Sequence, residues 1–286
     1  MTAYSDSHPD SIWLYQPSTA LAIVFTVLYF VPTVYSFYLT VLRYRSWFFL
    51  CVLIGGILEV VGYIFRVVSV KNQDSIPPYA VSQTLIILAP IFVAAGNYLL
   101  IGRLIRAALD ASHQRILRIQ PHRITKIFVG CDIMSFLIQA SGSGIAASVN
   151  WVGSTADIGQ DVLLAGLGTQ VATFVFFIAI LVIFILRVKR EGERADSPDG
   201  WRKVLYSVCI SSALVLIRSI YRVIEFGQGI DGYTFTHEWP FYVFEALPML
   251  PAITIFTIFH PAKYLTPEAR KTSADVEART SMGTQF

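Results

Sequence analysis

Leu216-Ile217-Arg218-Ser219-Ile220-Tyr221-Arg222-Val223-Ile224-Glu225 closes a long apolar run and decides how the chain is read. Arg218, Arg222 and Glu225 are spaced four and three apart, so on a helix they share one face. If that helix crosses a bilayer, the face cannot point at lipid. A charge near the membrane centre costs roughly 2.5–3.5 kcal/mol on insertion scales. Something polar elsewhere in the chain has to meet it.

The surrounding composition makes the bilayer reading firm. Of 286 residues, 55% are apolar and 14% charged, with mean hydropathy +0.58. Soluble domains carry about 25% charged residues. Apolar blocks of the length needed to cross about 30 Å of hydrocarbon fall at 20–42, 47–70, 80–105, 124–149, 162–186, 204–226 and 241–259. The expected fold is an all-α bundle of seven transmembrane helices. Residues 1–19 form a short N-terminal segment and 260–286 a polar, disordered tail. Pro32 in the first span and Pro248 and Pro251 in the seventh mark bends. The first apolar run is too long for a cleaved signal peptide, so it reads as an uncleaved span.

Basic residues set the expected orientation. Of 22 Lys and Arg, eighteen flank the loops between spans one and two, three and four, and five and six, or follow span seven. Lys71 alone lies on the opposite side, and Arg66, Arg218 and Arg222 lie inside spans. That bias places the N-terminus outside and the C-terminus in the cytosol. The net charge of +3 hides this asymmetry and implies no nucleic-acid partner. Cys51, Cys131 and Cys209 all fall within spans, which excludes a disulfide between outer loops. No His or second Cys stands at ligand spacing from any of them, so neither metal nor cofactor is implied.

Other spans carry polar stripes of their own. Span two has Gly55, Glu59, Gly62, Arg66 and Ser69 at spacings of four and three. Glu59 falls near mid-membrane and Arg66 near the outer end, about 10 Å apart along the axis, so each needs another partner. Span three has Gln83, Pro90 and Asn97; span four has Asp132, Ser135 and Gln139; span five has Gly166, Gln170 and Thr173. Lone amides of this kind commonly act as interhelical glue. Stripes on so many spans point to a shared polar interior.

Glu59, Arg66, Arg218, Arg222, Glu225 and Glu245 fall at middle to outer depths, with Asp132 toward the cytosolic side. Two readings compete. One is an inert ion-pair network that ties spans two, six and seven together. The other is a water-accessible cavity for a polar head group. The loop 227–240, Gly-rich and aromatic, would bring His237 and Glu238 over the mouth of such a cavity. His237-Glu238 is no zinc-protease signature, because Phe241 stands where the second His would be.

The segments Tyr15-Gln16-Pro17-Ser18, Gly56-Ile57-Leu58-Glu59-Val60-Val61-Gly62-Tyr63 with Arg66, Ala89-Pro90 with Gly102-Arg103, and Phe128 with Asp132, Ser135-Phe136 and Gln139 belong to one ordered pattern. It continues through Gly166-Leu167 with Gln170, then Arg218-Ser219 with Arg222, Glu225, Gly229, Gly232, His237-Glu238 and Tyr242, and closes at His260-Pro261. From Tyr15 to Leu265 the chain resembles the fungal lipid-translocating exporter family, the RTA-like proteins. It departs at Tyr35, where the resemblance leads one to expect His.

The resemblance implies a seven-span plasma-membrane protein that exports sphingoid bases or toxic lipid-like compounds. One branch implies porphyrin or haem movement. Its partners would then be an amphiphile and the bilayer, with the oligomeric state open. A receptor-like lipid sensor with the same cavity is the first alternative. An intramembrane lipid-modifying enzyme is the weakest, since the acids and bases lack an obvious nucleophile or metal set. The chain has no nucleotide-binding motif that could supply energy.

Overall fold

The computed structural model describes residues 13, 15–109, 121–149, 151–191, 200–229 and 232–265. No strand occurs among them, and seven helices are long and apolar enough to cross a membrane. They are α1 (Thr19–Arg43), α2 (Trp47–Lys71), α3 (Ile76–Ala108), α4 (Arg123–Ser148), α5 (Ser154–Arg190), α6 (Trp201–Gly227) and α7 (Phe241–Ile258). The C-terminal tail expected to be disordered lies, beyond Leu265, outside the described residues.

Each helix matches an expected span, but two reach well past the apolar block. α3 begins at Ile76 because Pro77 and Pro78 occupy its first turn, where a missing N–H breaks no helical bond. α5 begins at Ser154 with Asp157 in its first turn and ends with Lys189 and Arg190 in its last. Both ends suit the helix dipole. Hydropathy marks the part of a helix that sits in hydrocarbon, and a helix continues beyond it wherever its caps allow.

The helices pack in chain order around a ring, with α7 returning to α1 and α3 also meeting α6 and α7. α3 is the centre: 72% of its most apolar stretch is buried, against 28% for α1, α4 and α5. α1 accordingly turns Ile23, Val27, Phe30 and Val31 outward, as expected of a lipid-facing span. Small residues set the close contacts. A Cβ at Gly55 would meet the Ala89 carbonyl at 3.0 Å and Val93 at 2.9 Å, so α2 lies almost on the backbone of α3.

Two helices carry wide π-helical turns. One closes α1 at Tyr38–Arg43 after Pro32. The other opens α7 at Phe241–Ala246, just before Pro248. The second turn buries Phe241, Tyr242, Glu245 and Ala246 together, directing an acid and a phenol into the bundle. Cys51, Cys131 and Cys209 are free thiols.

Helix direction alternates, so the bundle has a basic end, where α1, α3 and α5 finish, and an opposite end. At the opposite end Trp13 is buried, and Tyr15 reaches across the helix tips. Trp13 and Tyr15, among the described residues before α1, are thus packed onto the bundle.

Candidate functional site

The arginines of α6 find their partner on α7. Glu245 is 1% exposed and accepts from Arg218 Nη2 at 2.8 Å and from Arg222 Nη1 at 3.4 Å, one bond to each carboxylate oxygen. Arg222 Nη1 also donates to Glu225 Oε2 at 2.9 Å, and Tyr221 donates its hydroxyl to Glu225 Oε1 at 3.3 Å. Arg218 Nη2 donates to the Ile86 carbonyl of α3 at 2.8 Å. Glu245 is thus the polar partner that the charged face of α6 requires. Two arginines face two glutamates here, a closed charge count on two helices.

Glu59 stands outside that count. It is 1% exposed, and neither carboxylate oxygen has a hydrogen-bond partner. Arg218, Glu245, Tyr29 and Tyr63 lie within electrostatic reach of it. The rings of Tyr29 and Tyr63 stack with centroids 5.2 Å apart. Tyr29 spends its hydroxyl on the Ala246 carbonyl at 2.5 Å, while the Tyr63 hydroxyl and Arg218 Nε are also without a hydrogen-bond partner. A buried polar atom left unbonded costs about 1–3 kcal/mol, more when charged. Glu59, the Tyr63 hydroxyl and Arg218 Nε thus leave hydrogen-bonding capacity unused inside the bundle.

Arg66 belongs to a different arrangement. It is fully buried, and donates from Nη2 to the Tyr15 hydroxyl at 3.0 Å and from Nε to the Tyr242 hydroxyl at 3.2 Å. Its guanidinium lies 3.9 Å from the ring centre of Phe241 and 4.9 Å from that of Trp13. Glu238 approaches to 3.9 Å. The Glu238 carboxylate also accepts the Ser18 backbone N–H through both oxygens at 3.0 Å, while the Ser18 side chain caps α1. Partial burial raises the Glu238 pKa, with the Ser18 N–H and Arg66 opposing. Burial likewise raises the Tyr15 phenol. Trp13, Tyr15 and Ser18 are therefore held across the opposite end by Arg66 and Glu238, as a strap.

The remaining expected residues fall elsewhere. Gln139 donates to Gln170 at 2.8 Å, joining α4 to α5. Asp132 accepts the Tyr98 hydroxyl at 2.8 Å, near Phe128, Phe174 and Phe177 and toward the basic end. Gln83 lies half-buried one turn from Tyr79. His237 is exposed, stacks on Tyr233 at 3.9 Å and contacts the Tyr233 carbonyl at 3.1 Å. The structure thus brings together Arg218, Arg222, Glu225 and Glu245 with Glu59 beside them, and pairs Arg66 with Glu238. It leaves the glutamines, Asp132 and His237 apart. The tyrosines at 15, 29, 63 and 242 were not singled out for the site, although Tyr63 is one turn after Glu59 and Tyr242 one turn before Glu245.

Seven apolar helices wrapped round a buried and largely self-neutralised charge cluster define a multi-pass membrane protein with its polar chemistry inside. The chain belongs to the RTA1 like protein family, which it matches over residues 52–268. It is 38% identical to Protoporphyrin uptake protein 1 of Saccharomyces cerevisiae over 71% of this chain and 65% of that one. It is 38% identical to Protein RTM1 of the same yeast over 76% and 69%, and 29% identical to Sphingoid long-chain base transporter RSB1 over 76% and 65%. The chain thus spans about two thirds of the length of these relatives. No solved structure matches it.

Proposed function

We propose that this protein translocates single-chain amphiphiles with a cationic head group across a membrane, and that Glu59 receives the head. The observation that carries the reading is the carboxylate of Glu59, buried at mid-bundle without a hydrogen bond while every neighbouring charge is matched. An ammonium supplies the missing charge and up to three donors. The printed name of one relative, a sphingoid long-chain base transporter, supports an amine amphiphile. The name of another, a protoporphyrin uptake protein, favours an anion. A carboxylate ligand would need an uncommitted cation, and each buried arginine already faces an acid or a phenol.

In this proposal the basic end is cytosolic, the membrane is the plasma membrane, and the protein moves its ligand without chemical change. Head-group entry requires the interior, closed in this structure, to open. A sensor with the same site would bind the ligand and leave it on its original side.

The test is flux of a long-chain amine in vesicles reconstituted with the purified protein. We expect transport by the unaltered protein and its loss in Glu59→Gln, with the folded yield kept. Equal flux in the variant, or binding without flux in the unaltered protein, would overturn the reading.

A further inference from the structure

Asp132 of α4 lies apart from the charge cluster, roughly 14 Å along the axis from Arg123 at the basic end. It is 1% exposed. Its Oδ2 accepts the Tyr98 hydroxyl at 2.8 Å, and its Oδ1 has no hydrogen-bond partner. Rings shut this bond in. Phe128 of α4 and Phe174 and Phe177 of α5 stand 5.2, 6.2 and 4.6 Å from the Tyr98 ring, all three buried. The helices packed on α4 are α3 and α5. α3 brings the phenol of Tyr98, and α4 itself adds the thiol of Cys131. α5 carries no titratable residue between Asp161 and Arg187. Among the described residues no lysine, arginine or histidine makes an ion pair with Asp132. Glu59 differs, because Arg218 lies within its electrostatic reach.

A carboxylate taken from water with no cation beside it is too costly to persist, and such a group neutralises instead. The surroundings decide what neutralises it. A hard metal ion takes about six oxygens or more, and the phenylalanine rings supply none. A proton needs no added space and one free oxygen. Oδ1 is that oxygen. Ser135 Oγ, one turn along the same face of α4, is also buried and without a hydrogen-bond partner. A proton on Oδ1 therefore has a hydroxyl oxygen one turn away to donate to.

We propose that Asp132 is a proton-binding site whose proton keeps the basic end of the bundle closed. The carboxyl cannot ionise while α3, α4 and α5 exclude water from it. Loss of the proton and the parting of α4 from α3 at Tyr98 are then one event. The proton passes from Oδ1 to a water molecule entering from the basic end, and the negative charge stays on the hydrated carboxylate. α3 connects this event to the charge cluster. Asn97, next to Tyr98, donates to Ser211 of α6 at 3.1 Å, and the Ile86 carbonyl of the same helix accepts from Arg218. A shift of α3 against α4 thus acts on the helix that holds both contacts to α6. The use of this gate in transport rests on the proposed translocation of cationic amphiphiles. The proton site itself does not.

The first test is the infrared difference spectrum between the unaltered protein and Asp132→Asn, both in lipid at neutral pH without amphiphile. Asparagine is nearly isosteric with the protonated acid, so the variant should fold in normal yield. We expect the unaltered protein to show a protonated-carboxyl band that the variant lacks and that shifts in heavy water. No such band would mean that Asp132 is ionised in the closed bundle, and overturns the proposal. The gate is read by hydrogen–deuterium exchange of α4 around Asp132, compared between the two proteins at each pH so that intrinsic rates cancel. Exchange should match at neutral pH and become several-fold faster in the unaltered protein in alkaline solution. Matching exchange at every pH overturns the gate. Tyr98→Phe removes the donor to the carboxylate and should move the alkaline rise to higher pH, whereas loss of a merely structural contact would speed exchange at every pH. Flux of a long-chain amine keeps this inference apart from translocation. Asp132→Asn should bind the amine and lose flux, while Glu59→Gln should lose both; full flux in Asp132→Asn would also overturn the gate. The carboxyl band and the alkaline rise in an unaltered protein without flux would refute translocation and leave the proton site standing.

Discussion

Glu245 and Arg218 are joined at 2.8 Å across the contact of α7 with α6, and the second oxygen of Glu245 serves Arg222. One carboxylate thus bridges two buried guanidinium groups, and Glu225 supplies the second negative charge. Breaking a buried pair by removing one member costs roughly 3–5 kcal/mol, because the other charge stays behind. Glu245→Gln should therefore lower the folded yield sharply, measured as the monodisperse fraction after detergent extraction. Adding Arg218→Gln should restore part of it. Glu59→Gln, which orphans no arginine, should leave the yield near normal. A Glu245→Gln protein as abundant as the unaltered one would show that water already reaches the cluster.

Much of this arrangement can be read from residue types and spacing. The 218, 222, 225 spacing demands a buried face, and only Glu59 and Glu245 lie at a depth to answer it. The sequence does not rank the two. That choice is made by the π-helical turn at Phe241–Ala246, which directs Glu245 inward and pairs it with both arginines. No hydropathy pattern reports an extra residue in a turn. Arg66 is placed correctly at the opposite end by its position in α2. Its partners are phenols and rings, which carry no formal charge and so escape a search for counter-charges. Gln139 and Gln170 follow the bland reading of interhelical glue.

The pairing of α4 with α5 depends on glycine at one point. A Cβ at Gly142 would lie 2.5 Å from the Leu163 backbone nitrogen and 2.6 Å from the Gly159 carbonyl, neither of which can move without moving α5. Gly144, two residues on, has nothing within 4 Å. Gly142→Ala should cost about 1–3 kcal/mol by overpacking and lower the melting temperature in detergent. Gly144→Ala should be neutral or slightly stabilising, since alanine is the better helix former. Equal effects of the two substitutions would argue that the helices are not in backbone contact.

The last prediction concerns His260, just beyond α7 at the basic end. Its Nδ1 accepts the Ala262 backbone N–H at 3.3 Å, so its proton sits on Nε2, which donates to Thr40 Oγ1 at 3.2 Å. The ring is buried and stacks on Tyr44 at 5.1 Å, latching the end of α7 to the end of α1. Burial pushes its pKa from 6.5 down to about 4. A depressed folded-state value means that the unfolded chain takes up the proton first. The contribution of His260 to stability is then fully present above pH 6.5 and is lost as the pH falls toward 4. The whole loss is on the order of 3 kcal/mol. Carboxylates titrate in the same window, so the comparison has to be with a variant that cannot take the proton. Glutamine retains a donor and an acceptor in place of the imidazole, so His260→Gln should be less stable than the unaltered protein at pH 7.5 and should lose less on acidification. Melting temperatures in detergent between pH 7.5 and 4.5 test this. Parallel curves for the two proteins would mean that His260 takes up its proton as readily in the fold as in the unfolded chain, and would remove it as the neutral latch between α1 and α7.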